Sequence, residues 1–339
     1  PMTALNPKSR ENSSESPLDR LQTLLSADMK AVNDMIVARM DSPVPMIPQL
    51  AGYLIAAGGK RIRPLMTLAS TALYGGDMVR AHRLATAVEF IHSATLLHDD
   101  VVDDSDERRG QKSANVIFGN EASVLVGDFL FSRAFQLMVE DGNLDVLKIL
   151  SDASAIIAQG EVLQLATQGN ITTTLDEYLE VIKGKTAALF AAACEVGPLI
   201  ASASRNDAQI MAEYGLNLGI AFQIADDILD YASTSQQIGK EVGDDFREGK
   251  MTAPVILALQ NANEEERAFW TRTMAAREQT DSDLVRATAI LNRHNALKGG
   301  LDLARSYAEK AREALAEAPD SVFRATLDAL ALYSVERDR

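Results

Sequence analysis

The sequence predicts an all-α fold: a single-domain helical bundle around a central cavity. Apolar residues recur at helical spacing through nearly the whole chain after residue 18. No stretch of useful length alternates β-branched with polar residues, as strands would require. The hydrophobic 47% is mostly Ala, Leu, Ile, Val and Met, with aromatics at only 5%, which suits closely packed helices.

Leu18, Leu21, Leu25, Met29, Val32 and Ile36 fall near i, i+3, i+4 and i+7 spacing and predict a first amphipathic helix. Pro43, Pro45 and Pro48 then break the chain before an apolar segment at 49–57. Further helices are predicted over 61–73, 77–107, 120–139, 144–167, 175–202 and 206–232. Ala85–His98 and Leu216–Ala225 carry few charges and belong at the centre of the bundle. Charged amphipathic helices at 263–276, 280–296, 299–317 and 320–336 belong on its outside, with Asp320 or Ser321 capping the last after Pro319. No linker-like change of composition follows residue 18. The expected organisation is therefore a disordered polar segment over 1–17 and one catalytic domain over 18–339.

A formal net charge of −15 argues against nucleic acid as the main partner, because a phosphate backbone needs a basic surface. One cysteine, Cys194, excludes an intramolecular disulfide and fits a reducing cytoplasm; inside the run Ala187–Cys194 it reads as a buried small residue. Residues 1–17 lack the apolar core of a secretory signal, and Glu11 and Glu15 argue against a mitochondrial transit peptide. No run approaches the ~18 apolar residues of a membrane span. A cytoplasmic location with no transmembrane segment is expected.

The informative phrases are Asp-Asp-Val-Val-Asp at 99–103 and Asp-Asp-Ile-Leu-Asp at 226–230. On a helix, Asp99 stacks on Asp103 and Asp226 on Asp230. Stacked carboxylates raise one another's pKa unless a cation lies between them. Around the first phrase, Asp99, Asp100, Asp103, Asp104, Asp106 and Glu107 crowd together. If that helix stops near Gly110, they lie toward the negative end of its dipole. A hard divalent cation, Mg²⁺, resolves the conflict and makes the chain read as a metal-dependent enzyme.

The basic residues narrow the chemistry. Gly58-Gly59-Lys60-Arg61-Ile62-Arg63-Pro64 joins a glycine pair to three cations. Arg108-Arg109-Gly110 follows the first acid cluster, and Lys183-Gly184-Lys185-Thr186 and Gly239-Lys240-Glu241 add glycine-flanked lysines. Glycines allow close backbone approach, arginine forks match phosphate oxygens and lysine acts as a point charge. Cations set beside carboxylates in an acidic chain predict two ways of holding diphosphate, one through metal and one direct.

From about residue 18 to its C-terminus the chain resembles the all-trans polyprenyl diphosphate synthases. The landmarks stand in family order: GGKRIRP at 58–64, LLHDDVVDDSDERRG at 96–110, GD at 127–128, GKT at 184–186, FQIADDILD at 222–230 and GKEVGDD at 239–245. One DDxxD is weak evidence, since acidic helix ends are common; two with the basic phrases in place are specific. The resemblance implies an isoprenoid-synthase helical bundle that is a homodimer, with Mg²⁺ as cofactor. It implies Asp99, Asp103 and Asp226 as metal ligands, with Asp100, Asp104, Asp227 and Asp230 behind them, the last two acting through metal-bound water. It places Lys60, Arg63, His92 and Arg109 at isopentenyl diphosphate. Arg108, Lys185, Thr186, Gln223 and Lys240 fall at the diphosphate of the allylic substrate.

The implied reaction ionises the allylic diphosphate and adds isopentenyl diphosphate through its double bond. Proton loss then restores an allylic diphosphate one five-carbon unit longer, with the released diphosphate as acceptor. Short-chain relatives block the cavity with a bulky residue four or five positions before the first aspartate; Thr95 and Ala94 stand there. The expected product is therefore long, about eight to ten isoprene units, for a quinone side chain, in a tunnel where ~20 helical residues span about 30 Å. The floor is expected deeper, among Leu189, Phe190 and neighbours. Release of such a product implies transient membrane contact.

Each residue also has an ordinary reading. A lone histidine on an apolar helix is commonly a satisfied core residue; two helical turns before Asp99, and with the resemblance, His92 reads instead as a binding residue. His98 reads as packing or as a residue supporting the metal ligands from behind, His82 and His294 as surface positions, Arg61 as solvated, and Phe222 as packing with a modest cation contribution. A class I terpene cyclase needs no GGKRIRP phrase, and a non-catalytic partner subunit characteristically loses aspartates or cations that this chain keeps.

Overall fold

The chain runs from helix to helix in the computed structural model, which describes residues 15–108, 110–232 and 242–336. The periodicity over 18–36 is carried by two helices, α1 (Pro17–Leu24) and α2 (Ser26–Arg39). Leu25 leaves helical geometry between them at φ −113° and ψ 21°, yet stays buried with Leu18, Leu21, Val32 and Ile36, so the apolar face continues through the kink. The segment expected to be disordered over 1–17 falls mostly outside the described residues. At its end, Ser16 accepts from the Asp19 backbone N–H and Pro17 opens α1 in the turn where a missing donor costs nothing.

α3 (Met46–Ala56) begins inside the proline cluster, with Pro48 in its first turn. Arg61, at φ 57°, makes the left-handed turn into α4 (Ile62–Leu73). α5 (Met78–Val102) ends before the predicted limit of 107. Asp103 caps it, and Asp104 takes φ 51°, a conformation that aspartate tolerates better than most residues. Continuing the helix would add more carboxylates to the negative end of its dipole. The chain instead turns at Gly110 between two-residue antiparallel strands, β1 (Glu107–Arg108) and β2 (Gln111–Lys112), a ladder the sequence pattern does not announce.

The short α6 (Ala114–Phe118) leads into α7 (Asn120–Asp141), which packs along α5. α8 covers the predicted span, Leu144–Thr167. The predicted 175–202 helix is α9 (Leu175–Ile182), a π-helical turn at Lys183–Ala187, and α10 (Ala188–Ile200). α11 (Arg205–Ala232) is the spine of the molecule. Met211, Tyr214 and Leu218 join one apolar cluster, and Ile220, Ile224 and Ile228 join the other.

After α11 come α12 (Asp244–Arg247) and α13 (Ala253–Gln260), both too short for periodicity to reveal. α14 (Glu264–Trp270) runs into a second π turn at Thr271–Ala275, followed by α15 (Asp283–Arg293), α16 (Ala296–Ala314) and α17 (Val322–Glu336). α16 lays Gly300, Ala304, Ala308 and Ala311 on the spine; a Cβ on Gly300 would lie 3.0 Å from Ile228 Cδ1. Ser321 accepts from the Arg324 backbone N–H at 3.4 Å and caps α17.

Against expectation, one helix among the described residues is long and apolar enough by length and composition to cross a membrane: α7. Its Val126, Leu130, Ala134, Leu137 and Met138 are buried against the bundle, while Leu125 and Val139 face outward.

Candidate active site

Asp99 and Asp100 occupy the last turn of α5 and are buried, and Asp103, its cap, is half-buried. Asp100, 3% exposed, is held by a fork: Arg108 Nε donates to Oδ2 at 3.0 Å and Nη2 to Oδ1 at 2.7 Å. The β1–β2 turn folds Arg108 back onto the helix end to make this pair. Burial raises the pKa of Asp103; Lys185 and Lys250 oppose the rise, and repulsion by Asp99 and Asp100 adds to it.

Lys185 comes from the π turn. Its Nζ donates to Gln164 Oε1 at 2.7 Å and lies 3.6 Å from Glu161 and 3.7 Å from Asp99 Oδ2. Glu161 is pushed up to about 8, by burial first and then by the charge of Asp99, with Lys185 opposing. Thr186, the next residue, faces the second motif: its Oγ1 donates to Gln223 Oε1 at 3.0 Å, and Gln223 Nε2 donates to Asp227 Oδ1 at 3.0 Å. Neighbouring residues of one π turn therefore reach the two aspartate motifs.

In the second motif Asp226 is half-buried, while Asp227 and Asp230 are buried. The Tyr178 hydroxyl donates to Asp227 Oδ2. Asp227 is pushed up to about 7, by burial and then by Asp245, with Lys250, Tyr178 and Gln223 opposing. Asp230 accepts the Asp245 backbone N–H at 3.1 Å, and its own carbonyl accepts from Gly243 at 2.9 Å, so it anchors the chain that follows the spine.

Lys250 is a site residue that the sequence reading missed. Burial works against its charge, but Asp245, Asp227, Asp103 and Glu248 together raise its pKa. It feels both motifs, and with Lys185 it sets positive charge between them. Gly249-Lys250 shows the same glycine-flanked lysine that singles out Lys185 and Lys240. Glu161, Gln164 and Tyr178 carried no such signal.

Of the residues assigned to isopentenyl diphosphate, Lys60 is exposed beside α4 and Arg63 lies 3.4 Å from His92 Nε2, with its guanidinium 4.7 Å above the Phe190 ring. Phe190 in turn packs against Phe222 with ring centres 5.7 Å apart. Phe190 is fully buried, between Arg63 and Phe222. Arg61 is not solvated: it pairs with buried Glu89 at 3.1 Å. Ala94 is fully buried, and the half-buried Thr95 donates to the His92 carbonyl at 2.6 Å. Arg109 and Lys240 lie outside the described residues. His98 lies against Gly127, 3.0 Å from the Val124 carbonyl and 3.3 Å from Asp128. His82 and His294 are not surface positions: each is partly buried and 2.7 Å from an acid, Asp28 and Glu266.

The hard oxygen donors gathered at the end of α5 fit a divalent cation. Among the described residues no three such side chains converge as a closed metal cage. A larger groove, about 890 Å³, lies elsewhere, between α8, α10 and α11; Ile156, Leu163 and Ala192 line it and the motif acids do not.

Residues 44–291 match the family model described as polyprenyl synthetase. The octaprenyl diphosphate synthase of Escherichia coli (strain K12) is 41% identical over 322 residues, covering 95% of this chain and 99% of that protein. A polyprenyl synthase from Caulobacter crescentus CB15, solved with calcium and isoprenyl diphosphate, superposes with a TM-score of 0.93 at 50% identity, covering 96% of this chain and 99% of that one. A decaprenyl diphosphate synthase from Rhodobacter capsulatus superposes with a TM-score of 0.90 at 53% identity, covering 95% of this chain and 100% of the other. With its two aspartate motifs joined through one π turn, and with these relatives along nearly its whole length, the chain belongs to the polyprenyl synthetase family.

Proposed function

We propose that the chain is a trans-polyprenyl diphosphate synthase, which condenses isopentenyl diphosphate with an allylic diphosphate and repeats the step to a long-chain product. The observation that carries this reading is the π turn, where Lys185 stands 3.7 Å from Asp99 and Thr186 reaches Asp227 through Gln223. A single diphosphate between the motifs can meet acid-held metal and protein cations together.

Asp99 and Asp103 from the first motif and Asp226 from the second would hold Mg²⁺, which neutralises charge on the departing diphosphate. Lys185 and Lys250 add fixed positive charge where that negative charge develops. Asp100 keeps Arg108 in place, and Asp227 and Asp230 act from behind Asp226. Lys60, Arg63 and His92, on the α4 side, take the diphosphate of the second substrate, joined by Arg109; Lys240 joins the allylic side. The allylic carbon–oxygen bond breaks, the double bond of isopentenyl diphosphate supplies the electron pair of the new carbon–carbon bond, and released diphosphate takes the proton. Buried apolar helices keep water from the cation.

The octaprenyl and decaprenyl names of the relatives and the small Ala94 and Thr95 support a product of about C40–C50 for a quinone side chain, a length that helices of ~20 residues and about 30 Å can begin to house. α11, shared by both apolar clusters, supports one catalytic domain over 18–339. Exposed Leu125 and Val139 on α7 and Val162 and Leu165 on α8 support a homodimer packed through these helices, with brief membrane contact at product release. Buried Cys194, its thiol pushed up by burial, supports a structural role and fits a reducing cytoplasm.

Labelled isopentenyl diphosphate, farnesyl diphosphate and Mg²⁺ test this on the isolated protein. Long-chain product is expected. A cyclised product without uptake of label, or no product from the isolated chain, would overturn the reading in favour of a cyclase or a partner subunit.

A further inference from the structure

Asp227 is held by one donor from another helix and one from its own. Tyr178, in the middle of α9 and 3% exposed, donates its hydroxyl to one carboxylate oxygen, and Gln223 donates to the other at 3.0 Å. Gln223 is itself oriented by Thr186. α9 is fixed at its start by a reciprocal cap between Thr174 and Glu177, and the Tyr178 ring packs in the apolar cluster with Ile182, Ile224 and Met251. Both oxygens of Asp227 are thus engaged by protein donors, Oδ2 by Tyr178 of α9 and Oδ1 by Gln223 one turn earlier on α11. Asp226, one residue along and about 100° round the helix, is the half-buried member of the pair. A cavity of about 60 Å³ lined by Tyr178, Gln223, Asp227 and Lys250 leaves room for water beside the anchored carboxylate.

We infer that Tyr178 is a positioning residue of the second metal centre: by anchoring Asp227 it makes Asp226 the direct ligand and confines Asp227 to acting through water. This rests on the reading that the aspartate motifs hold divalent metal. Groups behind metal ligands commonly change metal affinity tenfold or more when removed. A hydrogen bond that served packing alone would leave metal affinity unchanged.

The test is Mn²⁺ binding to the full chain, followed by electron paramagnetic resonance with an unreactive allylic thiolodiphosphate present. Tyr178→Phe keeps the buried ring and removes one oxygen. Tyr231→Phe is the matched control, because Tyr231 is a buried tyrosine near the same acids whose hydroxyl has no hydrogen-bond partner among the described residues. The expected result is Mn²⁺ affinity at least fivefold weaker in Tyr178→Phe and within twofold of wild type in Tyr231→Phe. Wild-type affinity in Tyr178→Phe, with wild type binding Mn²⁺, would overturn the positioning role and leave the metal reading standing. No Mn²⁺ binding by wild type would overturn the metal reading and this inference with it. Should circular dichroism show Tyr178→Phe unfolded, Tyr178→Leu carries the test, since it also removes the donor: at least fivefold weaker Mn²⁺ binding is expected, and wild-type affinity overturns the inference.

Discussion

Gly160 of α8 and Gly184 of the π turn meet backbone to backbone. A Cβ on Gly160 would lie 2.8 Å from the Lys185 nitrogen, and one on Gly184 would lie 3.0 Å from Gly160 Cα. The crossing fixes where Lys185 and Thr186 stand and hence how the two motifs are joined. Gly160→Ala should push the π turn away at an overpacking cost of about 1–3 kcal/mol. Steady-state kinetics should show kcat/KM for the allylic diphosphate falling at least tenfold in a protein that keeps its helical circular dichroism. Unchanged kinetics would mean that the turn yields without moving Lys185.

The Asp100–Arg108 fork gives a second expectation. Arg108→Ala strands a nearly inaccessible carboxylate, and losing a charged hydrogen bond of this kind costs about 1.5–3 kcal/mol. Urea denaturation should find Arg108→Ala clearly destabilised, and the Asp100→Ala/Arg108→Ala double variant less so than the two single losses summed. Strict additivity would show that the pair is not coupled.

Stability should depend on pH through Glu248. Burial, with Lys250 opposing, pushes its carboxyl up to about 7. The unfolded chain loses that proton near ~4.3, so between these values the native chain binds more protons and stability falls as pH rises. In metal-free buffer with chelator, Glu248→Gln should gain stability relative to wild type between pH 5 and pH 8. A constant difference across that range would contradict the assignment.

The cavity argument rests on Ala94, fully buried one residue before Thr95 on α5. Ala94→Phe should shorten the product to about fifteen or twenty carbons, since a ring here would stand in the way of a chain growing along α5, which rises ~1.5 Å per residue. Product chromatography showing an unchanged length would place the limit elsewhere.

Helix existence was legible wherever one apolar face repeats over many turns; α8 has its predicted limits because Asn143 caps it and Gln168 leaves helical geometry. The end of α5 was not legible, because the Arg108–Asp100 pairing that closes it depends on a turn with no apolar pattern. The aspartates and Lys185 could be read from charge and glycine spacing. Tyr178, Glu161 and Gln164 could not, since their partners lie on other helices and nothing local distinguishes them from core residues. Lys250 was within reach: the rule that found Lys185 applies equally to Gly249-Lys250.

The two motifs are placed to act on one diphosphate. Calorimetric titration of an unreactive allylic thiolodiphosphate with Mg²⁺ tests it most directly, on wild type, Asp99→Ala and Asp226→Ala. Binding by wild type should require Mg²⁺ and should be at least tenfold weaker in each variant. Wild-type affinity in either variant would contradict a shared site.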